Sequence, residues 1–279
     1  MIADSHEHDY ADLLDIATDL ARAAGTLLRN RPSHLGAGSK STPTDAVTDM
    51  DRAAERLILD GLATRRPGDG VLAEESGAHD GGAVTWVVDP LDGTVNYLYR
   101  IPQYAVSIAA RVGAEVVAGA VYDVARDNLY AATLGGGATC DGTPLRSTTQ
   151  SDPALALVAT GFGYAATLRA AQARVLATVL PRIRDIRRFG SAALDLCAVA
   201  SGQVDAYFEA GMQPWDWSAG GLIASEAGAA FGGLAGRPPG RWTTLAANPT
   251  LFAAMDQLLI AAGADELPVS GAGDDGPRS

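Results

Sequence analysis

Apolar side chains recur at helical spacing near the start of the sequence. From Tyr10 to Asn30 they predict an amphipathic helix, which the following glycines and serines end. The apolar positions are Leu13, Ala17, Leu20, Ala24, Leu27 and Leu28. A second helix is expected to begin at Thr48, because Thr48 and Asp51 have the spacing of a capping box. The chain is therefore expected to open with two helices.

The pattern then changes to apolar runs that are typical of β-strands. These runs are VTWVVD, AVSIAARV, VVAGAVYD and NLYAATL, and the last two are joined through the short segment ARD. Short connections between strands predict a meander that is antiparallel at least in part. The Gly- and Thr-rich region at 135–152 is interpreted as turns.

Strand and helix patterns also mix in the second half of the chain. Strands are predicted at ALALVATGF, IRRF and VDAYFEA. Helices are predicted at about 167–180, at SAALDLCAVAS before Gly202, from Trp215 to Ala227, and from Asn248 to Leu259. Because the elements do not alternate strictly, the pattern favours a layered α/β (α+β) architecture in two lobes over a barrel.

Composition narrows the classes of function. The chain has 279 residues, of which 47% are apolar and 19% are charged, and its net charge is −12. No Lys- or Arg-rich run is suited to a phosphate backbone, so nucleic acid is not expected as a partner. No stretch approaches the roughly 18 apolar residues of a membrane span, so no membrane association is expected. An acidic chain also repels small anions at long range, so a phosphate ester would need bound cations or a local cluster of donors.

Cysteine and histidine usage gives no sign of a zinc site or of disulfides. Cys140 and Cys197 lack metal-type spacing, and the start of the chain lacks the basic and apolar regions of a secretory signal. A reduced cytoplasm is therefore the expected location. The histidines fall in apparent tail or loop sequence and are interpreted as surface residues. They are His6, His8, His34 and His79.

The segment WVVDPLDGT places two carboxylates at the end of a buried apolar run. Asp89 is expected at the end of that strand and at the edge of the core. Pro90 stiffens the corner that carries Asp89 and Asp92. Gly93 permits close approach of the backbone, and Thr94 can begin a helical turn whose amides attract an anion. Hard oxygen ligands beside such a turn describe a Mg²⁺–phosphate site, whereas the alternative is an Asx turn with a capping threonine.

Two other acidic segments favour the metal interpretation. LAEESG places Glu74 and Glu75 directly after a short apolar run. PWDWSAGG places Asp216 between two tryptophans, where an unpaired carboxylate is expensive to bury. Together with Asp89 and Asp92, these segments supply acidic ligands from three distant parts of the chain.

These segments resemble the motifs of a known family. WVVDPLDGTVNY resembles one signature of the inositol monophosphatase family and PWDWSAGGLIASEAGA resembles the other. KSTPTDAVTDMDRAAE and LAEESG resemble its two earlier blocks, and RRFGSAALDLCAVASGQVDAYFEAG resembles its substrate region. The similarity extends from about residue 10 to 262.

The resemblance implies the layered αβαβα sandwich shared with fructose-1,6-bisphosphatase, normally as a homodimer. We expect a single domain over residues 10–265, with an N-terminal metal lobe at about 10–150 and a C-terminal lobe at about 151–265. Residues 1–9 and 268–279 are expected to be flexible tails.

Metal-binding and catalytic roles are implied position by position. Glu74, Asp89 and the carbonyl of Leu91 would bind a first Mg²⁺. Asp89, Asp92 and Asp216 would bind a second, and Glu74 would lie near a third, weaker ion. Thr94, oriented by Asp51, would position and deprotonate the attacking water together with Glu74.

Substrate contacts are implied in the same way. The backbone amides of Gly93 and Thr94 would hold the phosphate, and the backbone of residues 190–192 would face the sugar-like ring. Glu209 would accept hydrogen bonds from ring hydroxyls, and Lys40 matches a lysine in a loop near the metals. The full set of implied substrate residues is Asp92, Gly93, Thr94, Gly190, Ser191, Ala192, Glu209 and Asp216.

The resemblance implies a Mg²⁺-dependent phosphatase that hydrolyses myo-inositol 1-phosphate and is inhibited by lithium. Relatives act on fructose-1,6-bisphosphate, 3′,5′-bisphosphate nucleotides or histidinol phosphate, so these esters stay open as alternatives. Glu209 and the stretch at 190–192 favour the inositol ester. A hypothesis of another class is a regulatory interaction protein without catalysis. Loss of a metal ligand or an added basic surface would mark such a protein, and the sequence shows neither.

Overall fold

The structure of the chain, a computed structural model, describes residues 10–32, 37–39 and 46–268. Lys40, three of the histidines, the whole predicted tail at 1–9 and all but the first residue of the predicted tail at 268–279 lie outside these ranges. The helices are α1 (Tyr10–Arg29), α2 (Asp49–Arg65), α3 (Thr94–Tyr99), α4 (Ala166–Val179), α5 (Ala192–Ala200), α6 (Pro214–Glu226) and α7 (Pro249–Ala261). The strands are β1 (Ala37–Ser39), β2 (Ala46–Thr48), β3 (Gly70–Ala73), β4 (Gly77–His79), β5 (Val84–Asp92), β6 (Ala105–Val112), β7 (Glu115–Asp123), β8 (Asn128–Thr133), β9 (Gly137–Cys140), β10 (Thr143–Pro144), β11 (Leu157–Thr160), β12 (Asp185–Arg187), β13 (Ala206–Glu209), β14 (Ala230–Gly233) and β15 (Thr244–Ala247).

Two mixed sheets organise the described residues. The larger has the strand order β10-β9-β8-β7-β6-β5-β3-β4, and its only parallel pair is β3 with β5. The smaller has the order β12-β11-β13-β15-β14, in which β11 is parallel to both of its neighbours. The antiparallel meander predicted from the sequence corresponds to β5 through β8 and is confirmed.

Helices and sheets stack in five layers. Helices α1 and α2 pack on one face of the larger sheet, and α5 and α6 pack on its other face. Helices α5 and α6 also contact the smaller sheet, whose far side is covered by α7, with α4 packed beside α7. A separate hydrophobic core fills each interface between layers. The layered αβαβα expectation is therefore confirmed.

The predicted helices are all present, whereas several short strands differ from expectation. The region 135–152, interpreted as turns, contains the hairpin β9–β10. Strands β14 (AFGG) and β15 (TLAA) escaped prediction because alanine and glycine are poor strand formers and the position of these strands depends on their sheet partners. Strands β3 and β4 are also short, and a parallel partner distant in sequence orders β3.

The strand before the aspartate pair is longer than the sequence predicted. It was expected to end at Asp89, but β5 continues to Asp92. The pairing register with β6 shifts between Asp89 and Asp92, so the segment containing Pro90 forms a bulge instead of a terminal turn. A bulge is compatible with proline because the ladder is already interrupted there.

None of the helices in the described part of the chain has both the length and the hydrophobicity needed to cross a bilayer.

Candidate active site

A cavity of about 520 Å³ opens where the ends of β3, β5 and β13 approach the first turns of α5 and α6. All but one of the site residues predicted from the sequence line this cavity. They are Glu74, Asp89, Leu91, Asp92, Gly93, Thr94, Gly190, Ser191, Ala192, Glu209 and Asp216. The exception is Asp51, which is fully buried behind Thr94.

Parallel pairing brings Glu74 and Asp89 to the same edge of the larger sheet. Ala73 is in register with Val88, and the amide of Glu74 donates to the carbonyl of Val88 at 3.1 Å. The residue after each member of this pair is a carboxylate: Glu74 follows β3, and Asp89 stands where the bulge of β5 begins. Residues at the carboxyl ends of adjacent parallel strands share one edge, and such edges commonly carry binding sites.

Asp89 is a buried carboxylate among other carboxylates. It is only 2% exposed, and one of its oxygens, Oδ1, accepts the Leu91 amide at 3.0 Å. Burial raises the pKa of Asp89 well above its usual range, and the charges of Glu74, Asp92 and Asp216 raise it further. A cation placed in the cavity would reverse this effect and favour the ionised form.

Asp92 connects the bulge of β5 to the N-terminus of α5. Its Oδ2 accepts hydrogen bonds from the Ser191 hydroxyl and from the Ala193 amide at 2.5 and 2.8 Å. Burial raises the pKa of Asp92, while these hydrogen bonds and the Arg188 charge oppose the rise. Ser191 is also the N-cap of α5 and accepts the Leu194 amide. The predicted substrate stretch at 190–192 is thus held against the predicted metal aspartate.

Gly93 sits where no larger residue fits. Its φ of 88° is left-handed, and an added Cβ would lie 2.8 Å from the Gln103 carbonyl and 3.2 Å from the Gly190 carbonyl. The close approach of the backbone that the sequence predicted at this glycine is therefore present, and it starts α3 directly beside the cavity.

A buried relay of hydroxyl and carboxylate groups supports Thr94. The Thr94 hydroxyl lies 2.9 Å from Asp51 Oδ1 and 3.0 Å from the Leu91 carbonyl. The second oxygen of Asp51, Oδ2, accepts the amide and the hydroxyl of Thr48, which completes the capping box predicted at the start of α2. The same carboxylate therefore caps a helix and accepts a hydrogen bond from the hydroxyl of Thr94.

Asp216 occupies the first turn of α6. Its Oδ2 accepts the Gln213 amide at 2.6 Å, so it belongs to the cap of its own helix. Burial raises the pKa of Asp216 well above its usual range, with Glu74 contributing next, while the bond from Gln213 opposes the rise. The hydrogen bond from Gln213 thus partly offsets the cost of burying this carboxylate between two tryptophans.

Another wall of the same cavity contains Glu209, at the end of β13. The Tyr207 hydroxyl donates to Glu209 Oε2 at 2.7 Å. Burial raises the pKa of Glu209 to about 7, while Tyr207 and the Arg188 charge lower it. Arg188 lines the same cavity, so the wall contains both a cation and a hydrogen-bond acceptor.

Sequence reasoning missed three residues that shape this site. Arg188 is visible in RRFGS, but nothing in the sequence distinguishes it from the neighbouring arginines. Tyr207 alternates with Glu209 along β13, which is a signal for a shared face that could have been used. Asn96 donates to the carbonyls of Gln103 and Phe189, both at 2.8 Å, and so joins the turn after Gly93 to the segment before α5.

The donor set of the cavity is suited to Mg²⁺. Carboxylate and carbonyl oxygens are the ligands that this ion uses in proteins, and the mutual repulsion of the acids provides a reason to bind cations. The described residues nevertheless contain no group of three or more His, Cys, Asp or Glu side chains already arranged to hold one ion. The fit therefore rests on the shared cavity and on the mutual repulsion of its carboxylates.

Comparisons with known proteins agree with this geometry. The sequence model of the Inositol monophosphatase family matches residues 9–267. Inositol-1-monophosphatase SuhB of Mycobacterium tuberculosis is 48% identical over 244 residues, covering 80% of this chain and 84% of the relative. Nus factor SuhB of Escherichia coli is 41% identical over 222 residues, covering 77% of this chain and 83% of the relative.

A solved structure, Mycobacterium tuberculosis SuhB, has the same fold. It superimposes with a TM-score of 0.80 at 43% identity, covering 92% of this chain and 99% of the other. On the family match and these relatives, the chain belongs to the inositol monophosphatase family and is a phosphatase.

Proposed function

We propose that this protein hydrolyses a phosphate monoester in a Mg²⁺-dependent reaction and that myo-inositol 1-phosphate is its substrate. The observation that carries the proposal is the convergence of Glu74, Asp89, Asp92 and Asp216 on one cavity, where the charges of its neighbours raise the pKa of buried Asp89. Such a site favours cations, and cations in turn allow an acidic protein to bind an anionic ester.

The proposed ligands of two ions are those implied by the family resemblance. Glu74, Asp89 and the Leu91 carbonyl would hold one ion, and Asp89, Asp92 and Asp216 would hold the other, with a third near Glu74. When bound, Mg²⁺ would neutralise charge on the phosphate and acidify the attacking water. Asp92 and Asp216 each use one oxygen for a helix cap, so their other oxygens are left to face the cavity.

The threonine relay is proposed to handle the proton of the attacking water. Thr94 can donate its hydroxyl proton to Asp51 Oδ1 while its oxygen accepts from the water. Asp51 cannot rotate away, since Thr48 holds its other oxygen. Glu74 would share the positioning of the water, and the amides of Gly93 and Thr94 would bind the phosphate oxygens.

The wall formed by Glu209 and Arg188 supports a polyol as the remainder of the ester. A carboxylate accepts from adjacent hydroxyls, a guanidinium donates to them, and the backbone of residues 190–192 lines the same cavity. The Arg188 charge makes this wall less suited to the ammonium group of histidinol phosphate. Fructose-1,6-bisphosphate and 3′,5′-bisphosphate nucleotides stay as competitors, because an arginine can also bind a second phosphate.

The test is phosphate release from myo-inositol 1-phosphate and the three competing esters, with and without Mg²⁺ and with lithium titrated in. We expect Mg²⁺-dependent turnover with preference for the inositol ester and inhibition by lithium. Asp92→Asn should keep the cap of α5, because its amide oxygen can accept the same bonds, yet reduce turnover about a hundredfold or more. A loss of only two- or threefold would contradict the role given to Asp92, and preference for another ester would contradict the substrate.

A second candidate function is regulatory binding, which the name of the Escherichia coli relative brings into consideration. The preserved carboxylates and Thr94 favour catalysis, because a cluster of buried acids is costly without bound cations. An Asp89→Asn protein that still performed the cellular role would favour the regulatory function.

We also infer that the chain forms a homodimer in the cytoplasm and that residues 10–265 act as one domain with two lobes. Support for the dimer and the location comes from the family resemblance and from cysteine usage. Sedimentation analysis would measure the dimer, and limited proteolysis would show whether a cut near residue 150 separates the lobes.

A further inference from the structure

The loop that follows β11 lies directly over the carboxylate of Glu209. Gly161, the first residue of this loop, lines the cavity, as does Glu209. A Cβ added at Gly161 would lie 1.7 Å from Glu209 Oε2, 2.1 Å from Cδ and 2.4 Å from Oε1. The φ of Gly161 is not in the left-handed region. The glycine is therefore required for space and not for backbone conformation.

The backbone on both sides of this contact is fixed, so the side chain would have to move. Strands β11 and β13 are parallel neighbours, with Thr160 in register with Phe208. The Thr160 hydroxyl donates to the Phe208 carbonyl at 2.7 Å, and Glu209 itself pairs with Thr244 of β15. An alanine at position 161 would meet the carboxylate of Glu209 before it could displace either strand.

The position of the Glu209 carboxylate is also fixed by a hydroxyl. Buried Tyr207 donates to Oε2, and Gly161 lies against the same carboxylate, nearest to that oxygen. No protein donor among the described residues is bonded to Oε1, so this oxygen is the one left for a ligand. Displacing the carboxylate would lose both the Tyr207 bond and the acceptor position.

We propose that Gly161 is a specificity-determining position, which by lacking a side chain seats the Glu209 carboxylate where it accepts hydrogen bonds from the hydroxyls of a polyol phosphate. This inference rests on the proposed function, since it assigns the recognition of the alcohol part of the ester to that same cavity. Gly161 acts through Glu209 and is a positioning residue. The atoms nearest to a Cβ at Gly161 all belong to Glu209, and none belongs to Asp89 or Thr94.

The test compares two substrates in four proteins. The proteins are the wild type, Gly161→Ala, Glu209→Ala and the double variant, and the substrates are myo-inositol 1-phosphate and phenyl phosphate, which has no hydroxyl group on its ring. For Gly161→Ala we expect the KM for the inositol ester to rise about tenfold or more, the loss associated with a charge-assisted hydrogen bond. Its kcat for that ester, and both constants for phenyl phosphate, should stay within about twofold.

The double variant shows whether Gly161→Ala acts by displacing the Glu209 carboxylate or by a general effect on the loop. Removing the carboxylate with Glu209→Ala leaves room for the new methyl group, so Gly161→Ala should add almost nothing in that background. Equal losses on both substrates, or an additional loss in the double variant, would overturn the proposal. Gly232→Ala in β14 is the matched control, because its Cβ would come no closer than 3.9 Å to another residue.

Folding gives a second readout. If Gly161→Ala alone lowers the melting temperature, the double variant should recover that of Glu209→Ala, and a failure to recover would contradict the seating of the carboxylate. A wild type that does not prefer the inositol ester over phenyl phosphate would refute the proposed substrate. If the wild type prefers the inositol ester and Gly161→Ala keeps that preference, the role of Gly161 is refuted and the proposed substrate is not.

Discussion

Asp195 lies in α5 with both carboxylate oxygens buried, and neither has a hydrogen-bond partner among the described residues. Burial raises the pKa of Asp195 well above its usual range, and the charges of Glu209 and Asp92 raise it further. The folded protein therefore keeps a proton on Asp195 at a pH where the unfolded chain has released it. Asp195 costs no stability below the unfolded pKa near 4, and an increasing amount as the pH rises toward the folded pKa.

Asp195→Asn is therefore expected to stabilise the protein at neutral pH. The amide is neutral and of the same shape, and it is left as unsatisfied as the protonated carboxyl that it replaces. The gain therefore comes from the proton that the unfolded chain releases, and it should be on the order of 1 kcal/mol or more at pH 7 and shrink toward pH 4. Urea unfolding at several pH values measures it, with exposed Asp80→Asn as the control. A destabilised Asp195→Asn protein at pH 7 would mean that the carboxylate has a charged partner.

The ionisation of Glu209 gives the cavity a pH dependence on its polyol side. Because burial raises the pKa of Glu209 to about 7, its acceptor form is lost as the pH falls below that value. The KM for myo-inositol 1-phosphate should then rise on acidification. The KM for phenyl phosphate should change with pH only through the ionisation of groups around the phosphate.

Arg188→Gln tests the cause of this pH dependence. Arg188 lowers the pKa of Glu209, so its removal should move the rise in KM to higher pH. Arg182→Gln is the control, since Arg182 is exposed and is not among the residues that line the cavity. Superimposable pH profiles for wild type and Arg188→Gln would show that Glu209 is not the titrating group.

The sequence identified residues whose chemistry lies in a local motif and missed residues whose role depends on packing. Asp89, Asp92 and Thr94 stand together in one short segment, so their turn and their charge could be interpreted without a structure. Gly161 and Arg188 have no such local signal. Gly161 matters because β13 brings the Glu209 carboxylate against it, and Arg188 matters because its charge lowers the pKa of Glu209.

At the scale of elements, the cap of α2 is also part of the site. The Thr48 hydroxyl accepts the Met50 amide in the first turn of α2, and the Thr48 amide donates to Asp51. Asp51 in turn accepts the Thr94 hydroxyl. Thr48→Ala should lower the stability by about 1 kcal/mol through loss of the cap. It should also reduce kcat severalfold, because Asp51 loses the hydroxyl that helps to fix it. Thr48→Ser keeps the hydroxyl and should retain the stability and the kcat of the wild type. An unchanged kcat in Thr48→Ala would mean that the helix cap does not affect catalysis.

Helices and long strands were predictable from periodicity, whereas the short strands were not. Helices α1 and α2 have apolar stripes or capping signals within their own sequences. Strands such as β3 and β15 have only four residues each and are ordered by neighbours distant in the chain. The bulge in β5 lay beyond prediction for a similar reason, since a register shift is a property of two strands and not of one.

At the scale of the whole molecule, the cavity lies where the layers meet. Its acids come from the edge of the larger sheet, from β13 of the smaller sheet and from α6 between them. Repulsion among these acids therefore opposes the packing of several layers at once, in a chain whose net charge is already −12. Cations in the cavity should stabilise the assembled layers and not only one loop.

Mg²⁺ is accordingly expected to raise the melting temperature of the whole protein. An ion present at a hundredfold excess over its dissociation constant stabilises the folded state by about 2.7 kcal/mol, which corresponds to a rise of roughly 5 °C or more for a chain of this size. Asp89→Asn removes a buried carboxyl whose raised pKa costs stability at neutral pH, so it should melt at a higher temperature than wild type in EDTA and respond much less to Mg²⁺. Exposed Asp80→Asn should respond as wild type does. Calorimetry of the three proteins in EDTA and in Mg²⁺ measures the melting temperature without ions and the rise that Mg²⁺ causes. A cation site predicts that Asp89→Asn increases the first and decreases the second. If Asp89→Asn instead melts lower than wild type in EDTA and keeps the full response to Mg²⁺, the ions bind elsewhere.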